Sequence, residues 1–509
     1  MTVHIGRPLT FADVVAVAVG REAVAVLPEV AAAMAPARAV VEDAVASGET
    51  VYGISTGIGD LANVRIDTGL ALELQRDIVR SHATAVGPPL PVDVVRAMLL
   101  LRARTFAFGV SGVRFEVVER IVALLNAGIH PVVPSQGSLG ASGDLAPLAH
   151  LALPLLGEGT AEVGGRVVRG AEALAEAGIE PLELSYKEGL ALVNGTEMML
   201  ALGILLLHGA RRLARVADVT GAMTLEACLG TDSAFRADLI GLRKHPGAGV
   251  SAGNLRRLLD GSAIVASHRE SDHLVQDAYS LRCMPQVHGA YRDAMRYVAE
   301  TLEAELASAI DNPTVMVDEG KLLSGGNFHG EALALALDHL GLCLTGFATI
   351  AERRVARLVD PGLNNGLPAF LTREPGRSSG FMIVQYTAAS LVSEDRSLCW
   401  PASADSIPSS AGQEDHVSMG ATSGRKVAAI LANSEHVLAI EALAAAQGLD
   451  LRAPLAPAPG TAAALGAVRE ASPFLEEDRP LSGDIGAVRE LLADGTLLAA
   501  VEGATGPLE

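Results

Sequence analysis

"EDHVSMGATSGRKVAAILANSEHVLAIEALAAAQG", Glu414 to Gly448, decides the fold. Val427, Ile430, Leu431, Leu438 and Ala442 recur at helical spacing and predict one long helix, with Gly448 as its stop. Two other stretches read the same way, "MMLALGILLLHGARRLARVADVTGAMTLEACLG" (Met198–Gly230) and "FHGEALALALDHLGLCLTGFATIAERRVARLVD" (Phe328–Asp360). These two are apolar on more than one side. Such helices belong inside a bundle or a subunit interface, because a helix bordering water needs a polar face.

Strand signals are few. "TAEVGGRVVRG" sets a Gly164-Gly165 turn between β-branched residues, and "TVMVDEGKLL" holds an Asp-Glu-Gly turn; both predict short hairpins. "RAPLAPAPG", from Arg452, reads as a linker. The expected fold class is therefore mainly α: a long-helix bundle with a smaller N-terminal section and a few short β-hairpins. Its expected sections are residues 1–197, 198–449 and a small helical 450–509.

The net charge of −20 over 509 residues disfavours nucleic acid and anionic membranes as partners, since both attract basic surfaces. No uncharged apolar run is long enough for a bilayer, and "MTVHIGRPLTFADVV" lacks the basic start and apolar core of a signal peptide. Cys228, Cys283, Cys343 and Cys399 are widely spaced, as free thiols in a reducing compartment are; a cytoplasmic location is expected. The glycines of "YGISTGIGD" are misplaced for a dinucleotide fingerprint, and no phosphate-binding loop with Gly-Lys-Ser/Thr occurs. A pyridoxal lysine leaves no local pattern to read. His268 and His273 in "HRESDH" stand five apart, which is not the zinc spacing, so no metal is expected.

Several polar groups sit in apolar surroundings. Gln276, Tyr279, Arg282 and Gln286 are three to four apart on one helical flank, and Pro285 is expected to kink or end that helix near Arg282. The plain alternative is a solvated or inter-subunit face; the functional one is a guanidinium fork for a carboxylate. Glu414 and Asp415 precede the long helix, where capping is the simpler reading for Asp415. Asn194 fits a turn with Gly195, His82 a satisfied core position, and Tyr52 simple packing.

"GSLGASGDLAPLAH" (Gly137–His150) carries Ser142 between Ala141 and Gly143. A hydrolase elbow would read Gly-x-Ser-x-Gly; here the second glycine comes one place too early. Ala-Ser-Gly can instead cyclise: the Gly143 nitrogen attacks the Ala141 carbonyl carbon, and two waters leave, one taking the Ser142 hydroxyl. The product is a 4-methylidene-imidazol-5-one, an electrophile no standard side chain supplies. Glycine leaves ring closure unobstructed, and Gly140 and Asp144 suit a tight turn.

Together with "VYGISTGIGDLA", "EGLALVNGTE", "VQDAYSLRCMPQV", "SAIDNP", "SGGNFHG", "SSAGQEDHVSMG" and "LAIEALAAAQGLDLR", in order over most of the chain, this stretch resembles the aromatic amino-acid ammonia-lyase and aminomutase family. The resemblance implies a mostly helical homotetramer whose active sites are shared between subunits, with the autocatalytic loop in the N-terminal section. It implies that Ala141, Ser142 and Gly143 form the electrophile, and that no nucleotide or pyridoxal cofactor is used. By the same resemblance Tyr52 is the acid–base beside the ring, Asn194 and Tyr279 lie near the substrate amine, and Arg282 holds the carboxylate. Gln276 and Phe328 line the site, and Glu414 meets the substrate ring and assists β-proton transfer. Ser81-His82 and Glu414 are similar to the members that deaminate L-histidine to trans-urocanate and ammonia. The alternative within the family is phenylalanine or tyrosine as substrate, by lyase or 2,3-aminomutase chemistry. Ile58, Thr84-Ala85 and Gly412 depart from the usual pattern beside the expected pocket.

Overall fold

The computed structural model describes residues 2–271 and 275–509. Among these, twenty α-helices alternate with short 3-10 turns and strands of three or four residues, so the molecule is mainly α. The three apolar stretches form its longest helices, Glu197–Ala227, Glu331–Val359 and Gly420–Leu451. Val427, Ile430, Leu438 and Ala442 are buried, and Leu431 is half-buried. Both Glu331–Val359 and Gly420–Leu451 are long and apolar enough to cross a membrane; their apolar windows are 72% and 67% buried inside the protein, as core helices are.

Two boundaries differ from the sequence reading. Gly448 does not end its helix, which runs on to Leu451. A Cβ there would meet Ala227 Cβ at 3.0 Å, so this glycine serves close helix packing instead. Pro285 neither kinks nor ends a helix. A short helix, Tyr279–Arg282, stops at Cys283, and Pro285 is the second residue of the next, Met284–Leu306, where its missing N–H costs nothing.

Both predicted hairpins form. Thr160–Val163 pairs antiparallel with Arg166–Arg169 across Gly164-Gly165, both at positive φ as a tight hairpin turn requires. Thr314–Met316 pairs with Lys321–Leu323. Strands of three or four residues at Val3–Ile5, Val24–Val26, Val86–Pro89, Ile129–Pro131 and Pro134–Gln136 were not anticipated, being too short to show an alternating pattern.

Residues 1–197, 198–449 and 450–509 divide the chain by order, whereas compactness divides it into two units of three segments each. The first comprises Met1–Leu205, Ala299–Asp338 and Pro401–Arg425; the second Leu206–Val298, His339–Trp400 and Lys426–Glu509. Within the first, helix Val92–Ala107 is buried from Val94 to Phe106, and helix Ala71–His82 packs on Glu188–Val193 and Leu145–Ala152. In the second, Arg354 pairs with Glu441, whose carboxylate also accepts from Thr220 at 2.7 Å and Thr224 at 2.9 Å. All four side chains are buried, so an ion pair inside the long-helix core has its polar atoms satisfied.

Candidate active site

The first unit holds most of the expected site residues. Gly140 to Gly143 closes a four-residue turn, with the Gly143 N–H donating to the Gly140 carbonyl at 3.2 Å. The Ser138 hydroxyl accepts from the Gly140 N–H and donates to the Gly143 carbonyl, each at 3.1 Å. Ser142 is held at φ +48° and Gly143 at φ +77°. A Cβ on Gly143 would lie 2.0 Å from the Gly195 carbonyl oxygen, and one on Gly140 would lie 2.1 Å from Ser418 Oγ. Both glycines are thus required by backbone conformation and by crowding. The turn is clamped from two sides: Asp144 N–H donates to Gly195 O at 2.6 Å, and Met419 N–H donates to Leu139 O at 2.9 Å.

Asp144 follows directly. Its carboxyl is fully buried and accepts from the Met198 and Met199 N–H groups, each at 3.0 Å, at the start of helix Glu197–Ala227. Burial is the main influence and lifts its pKa from 3.8 to about 7, helped by the charges of Glu197 and Glu305 and opposed by the two N–H donors.

Asn194 ends helix Glu188–Val193 beside Gly195. Its Nδ2 donates to Asp311 Oδ1 at 3.2 Å and to the Asn312 carbonyl at 2.8 Å. With the amide nitrogen so occupied, Oδ1 remains buried with no partner. A buried acceptor without a donor is costly, and it suits an N–H brought by a ligand. Asp311 is held in turn by Lys187 Nζ at 2.6 Å, both side chains being fully buried. Burial lowers the lysine's pKa, and Asp311 works to restore it. Arg102 donates to the Asn194 carbonyl at 3.0 Å and to Glu197 at 2.9 Å.

Tyr52 lies in the Gly-rich loop that the buried Gln75 secures, donating to Gly53 O and accepting from Gly189 and Leu190 N–H. The Tyr52 hydroxyl oxygen accepts from Gly59 N–H at 2.9 Å. Burial raises its pKa, the Gly59 hydrogen bond counteracts this, and the Glu414 charge raises it further, so Tyr52 is a protonated phenol near neutrality. Glu414 accepts from the Ser409 hydroxyl at 2.7 Å, while Ser410 Oγ accepts from Asp60 N–H and ties this segment to the Tyr52 loop. The capping reading of Asp415 fails: the helix begins five residues later, at Gly420, and Asp415 is exposed. His82 ends helix Ala71–His82; its Nδ1 sits 2.7 Å from the Ile78 carbonyl. That bond puts the proton on Nδ1 and leaves Nε2 as an acceptor. Strand Val86–Pro89, just beyond, pairs with Pro134–Gln136, which leads into the loop. Phe328 is half-buried, beside His329, whose Nε2 is 3.3 Å from the His416 carbonyl.

Gln276, Tyr279 and Arg282 belong to the second unit. Gln276 precedes the short helix instead of sharing its flank and is exposed. Tyr279 is 71% exposed, with the Arg282 guanidinium 4.7 Å from its ring centroid. Arg282 Nε is buried without a hydrogen-bond partner, a donor left over for an anion.

Among the described residues, one group has the spacing to hold a metal: His329, Glu331 and His416, with ligand atoms within 4.8 Å of one another. The two imidazoles stack 5.8 Å apart. His268 of "HRESDH" contacts the Gly230 carbonyl at 3.0 Å, and His273 lies outside the described residues. The residues that sequence reasoning missed are those behind the site: Lys187, Asp311, Arg102, Glu197, Gln75 and Ser409. Lys187 and Asp311 are 124 positions apart, and only "SAIDNP" hinted that the second mattered.

A family model described as aromatic amino acid lyase matches residues 9–470. Histidine ammonia-lyase of Gloeobacter violaceus is 54% identical over 504 residues, covering 99% of this chain and 98% of that protein. The protein of the same name from Sorangium cellulosum is 52% identical over 512 residues, covering 99% of each. Among solved structures, histidine ammonia-lyase from Trypanosoma cruzi superposes with a TM-score of 0.91 at 42% identity, covering 99% of this chain and 96% of that one. Tyrosine aminomutase from Streptomyces globisporus gives 0.93 at 39% identity, covering 100% of both.

Proposed function

The chain belongs to the aromatic amino acid lyase family and is a carbon–nitrogen lyase, and from that premise we propose that it deaminates L-histidine to trans-urocanate and ammonia at an electrophile made from Ala141, Ser142 and Gly143. The observation that carries this reading is the clamped turn at 140–143, where Gly143 has no room for a Cβ and Ser142 is held in a left-handed conformation. Those are features a cyclising tripeptide needs, and the orphaned Asn194 Oδ1 beside it suits a substrate or ring N–H. When formed, the 4-methylidene-imidazol-5-one supplies the electron-poor carbon that makes the substrate's nitrogen a better leaving group.

The chain's own residues bind, orient and move protons. Arg282 takes the carboxylate through its unpartnered Nε–H. Tyr52 holds its proton beside the ring and exchanges it with the substrate. Glu414 meets the imidazole and assists removal of the β-proton, within hydrogen-bond reach as general acid–base work requires. A buried imidazole N–H left without an acceptor costs about 1–3 kcal/mol; the Glu414 carboxylate and His82 Nε2 are the acceptors at hand. Tyr279 and Gln276, exposed on the same stretch as Arg282, are presented to a neighbouring subunit, which fits a homotetramer with shared active sites. Four unpaired cysteines fit a reducing, cytoplasmic setting.

The test has two parts. Fragmentation of the peptide containing Ser142 should show a mass lower by two waters; an intact peptide in active protein overturns the electrophile. A panel of L-histidine, L-tyrosine and L-phenylalanine should give urocanate absorbance from histidine alone. Coumarate, cinnamate or β-amino acids as the main products would favour the aromatic or aminomutase reading.

A further inference from the structure

Away from the loop, within the first unit, the N-terminal segment Gly6–Ala12 and helices Val92–Ala107 and Met284–Leu306 enclose a hollow of about 590 Å³. That size lies in the range of small-molecule sites. Its walls are mostly apolar, including Pro8, Leu9, Phe11, Ala107, Phe108 and Leu306. Set into them is Arg104, 6% exposed.

Buried arginines here usually face a carboxylate: Arg38 has Glu42, Arg102 has Glu197 and Arg354 has Glu441. Arg104 has no carboxylate within 4 Å among the described residues. Its guanidinium makes two long bonds, to Thr105 Oγ1 at 3.3 Å and the Glu305 carbonyl at 3.2 Å, and stacks 4.7 Å from the Phe108 ring. Burial pulls its pKa down to about 10, against the more distant charges of Glu197 and Glu305, which work to raise it. Arg96 also lacks a carboxylate, but it donates to two backbone carbonyls and lines no such hollow.

We propose that this hollow binds a monocarboxylate with an apolar body, its carboxylate on Arg104 and its tail against Leu9, Phe11 and Leu306. A buried guanidinium with unused donors gains most from an anion brought into an apolar pocket. Exposed Arg7 at the rim adds attraction. Glu303, also at the rim, is exposed and solvated, so it asks for no matching ammonium on the ligand. The site is independent of the lyase reading.

Calorimetric titration of the whole protein with octanoate and with 1-octanol tests the proposal. The expected result is octanoate binding about ten- to a hundredfold tighter than the alcohol, the value of charge-assisted hydrogen bonds. Ala107→Trp, which fills the hollow, should abolish binding, and Arg104→Met should reduce octanoate to the affinity of octanol. If Arg104→Met does not fold, Ala107→Trp and the acid–alcohol comparison still decide. No binding by the native assembly, as when a second copy covers the hollow, overturns the proposal. So does equal affinity for acid and alcohol, or octanoate binding that survives Ala107→Trp.

Discussion

Replacing Gly143 by alanine tests the tightest constraint in the site. The added methyl would stand 2.0 Å from the Gly195 carbonyl oxygen and 2.5 Å from its carbon, both backbone atoms that no rotamer change can move aside. The residue would also be an L-side chain at φ +77°, a left-handed conformation costing about 1–2 kcal/mol. Relieving the overlap by backbone shifts costs about another 1–3 kcal/mol. The sum, about 2–5 kcal/mol, disfavours the closed turn by roughly thirty- to several-thousandfold at about 1.4 kcal/mol per tenfold. Opening the turn also breaks the Asp144 N–H bond to Gly195 O. Freshly purified Gly143→Ala should therefore carry mostly uncyclised peptide by mass and have correspondingly little deamination activity. Gly249→Ala is the control, because its Cβ meets nothing within 4 Å inside helix Pro246–Leu259; that variant should mature fully. Complete ring formation and near-normal activity in Gly143→Ala would refute the reasoning.

Three further expectations follow from the groups around the turn. Asp144 is protonated more readily folded than unfolded, so its contribution to stability is present below pH 4 and lost as pH rises through about 7, on the order of 4 kcal/mol in all; thermal inactivation followed from pH 5 to 8 should show Asp144→Asn gaining on the native protein as pH rises, and parallel curves would contradict the assignment. Asp311→Ala leaves Lys187 charged and alone in the interior, at a cost of about 3–5 kcal/mol, and it frees the Asn194 amide; the double change Lys187→Met with Asp311→Leu should recover thermal stability but not kcat, and recovery of both would deny Asn194 its positioning. Glu414→Gln keeps an oxygen for the Ser409 hydroxyl while removing the base; kcat should fall by about 10²–10⁴ with the Ser142 peptide still lighter by two waters, whereas an unchanged kcat would take Glu414 out of the proton transfer.

What the chain reveals in one dimension depends on how local each physical cause is. The long helices were legible because a buried apolar stripe repeats at every turn, as Val427, Ile430, Leu438 and Ala442 do. The hairpins were legible because Gly164-Gly165 and Asp318-Glu319-Gly320 are turn sequences standing between β-prone residues. The loop was legible as chemistry, since Ala141-Ser142-Gly143 carries its own reactivity. Gly448 and Pro285 misled for one shared reason: each has a local preference that its surroundings redirect. Gly448 is spent on contact with Ala227 instead of a helix end, and Pro285 opens a helix because Cys283 has already closed the one before.

The positioning network was not legible, and the cause is geometric. Asn194 owes its orientation to Asp311, and Asp311 is held by Lys187, but no periodicity links positions 187, 194 and 311. Asn194 alone reads as a turn former, and Lys187 alone as a surface cation. Only their common burial shows that the amide has one free atom, and which one. Glu414 follows the same logic, for it stands beside Asp415, whose local setting suggested a helix cap. The helix starts at Gly420, and the Glu414 carboxylate instead sits on Ser409, close enough to raise the Tyr52 phenol. The two side chains proposed to move protons thus come from separate loops, tied where Ser410 receives the Asp60 N–H.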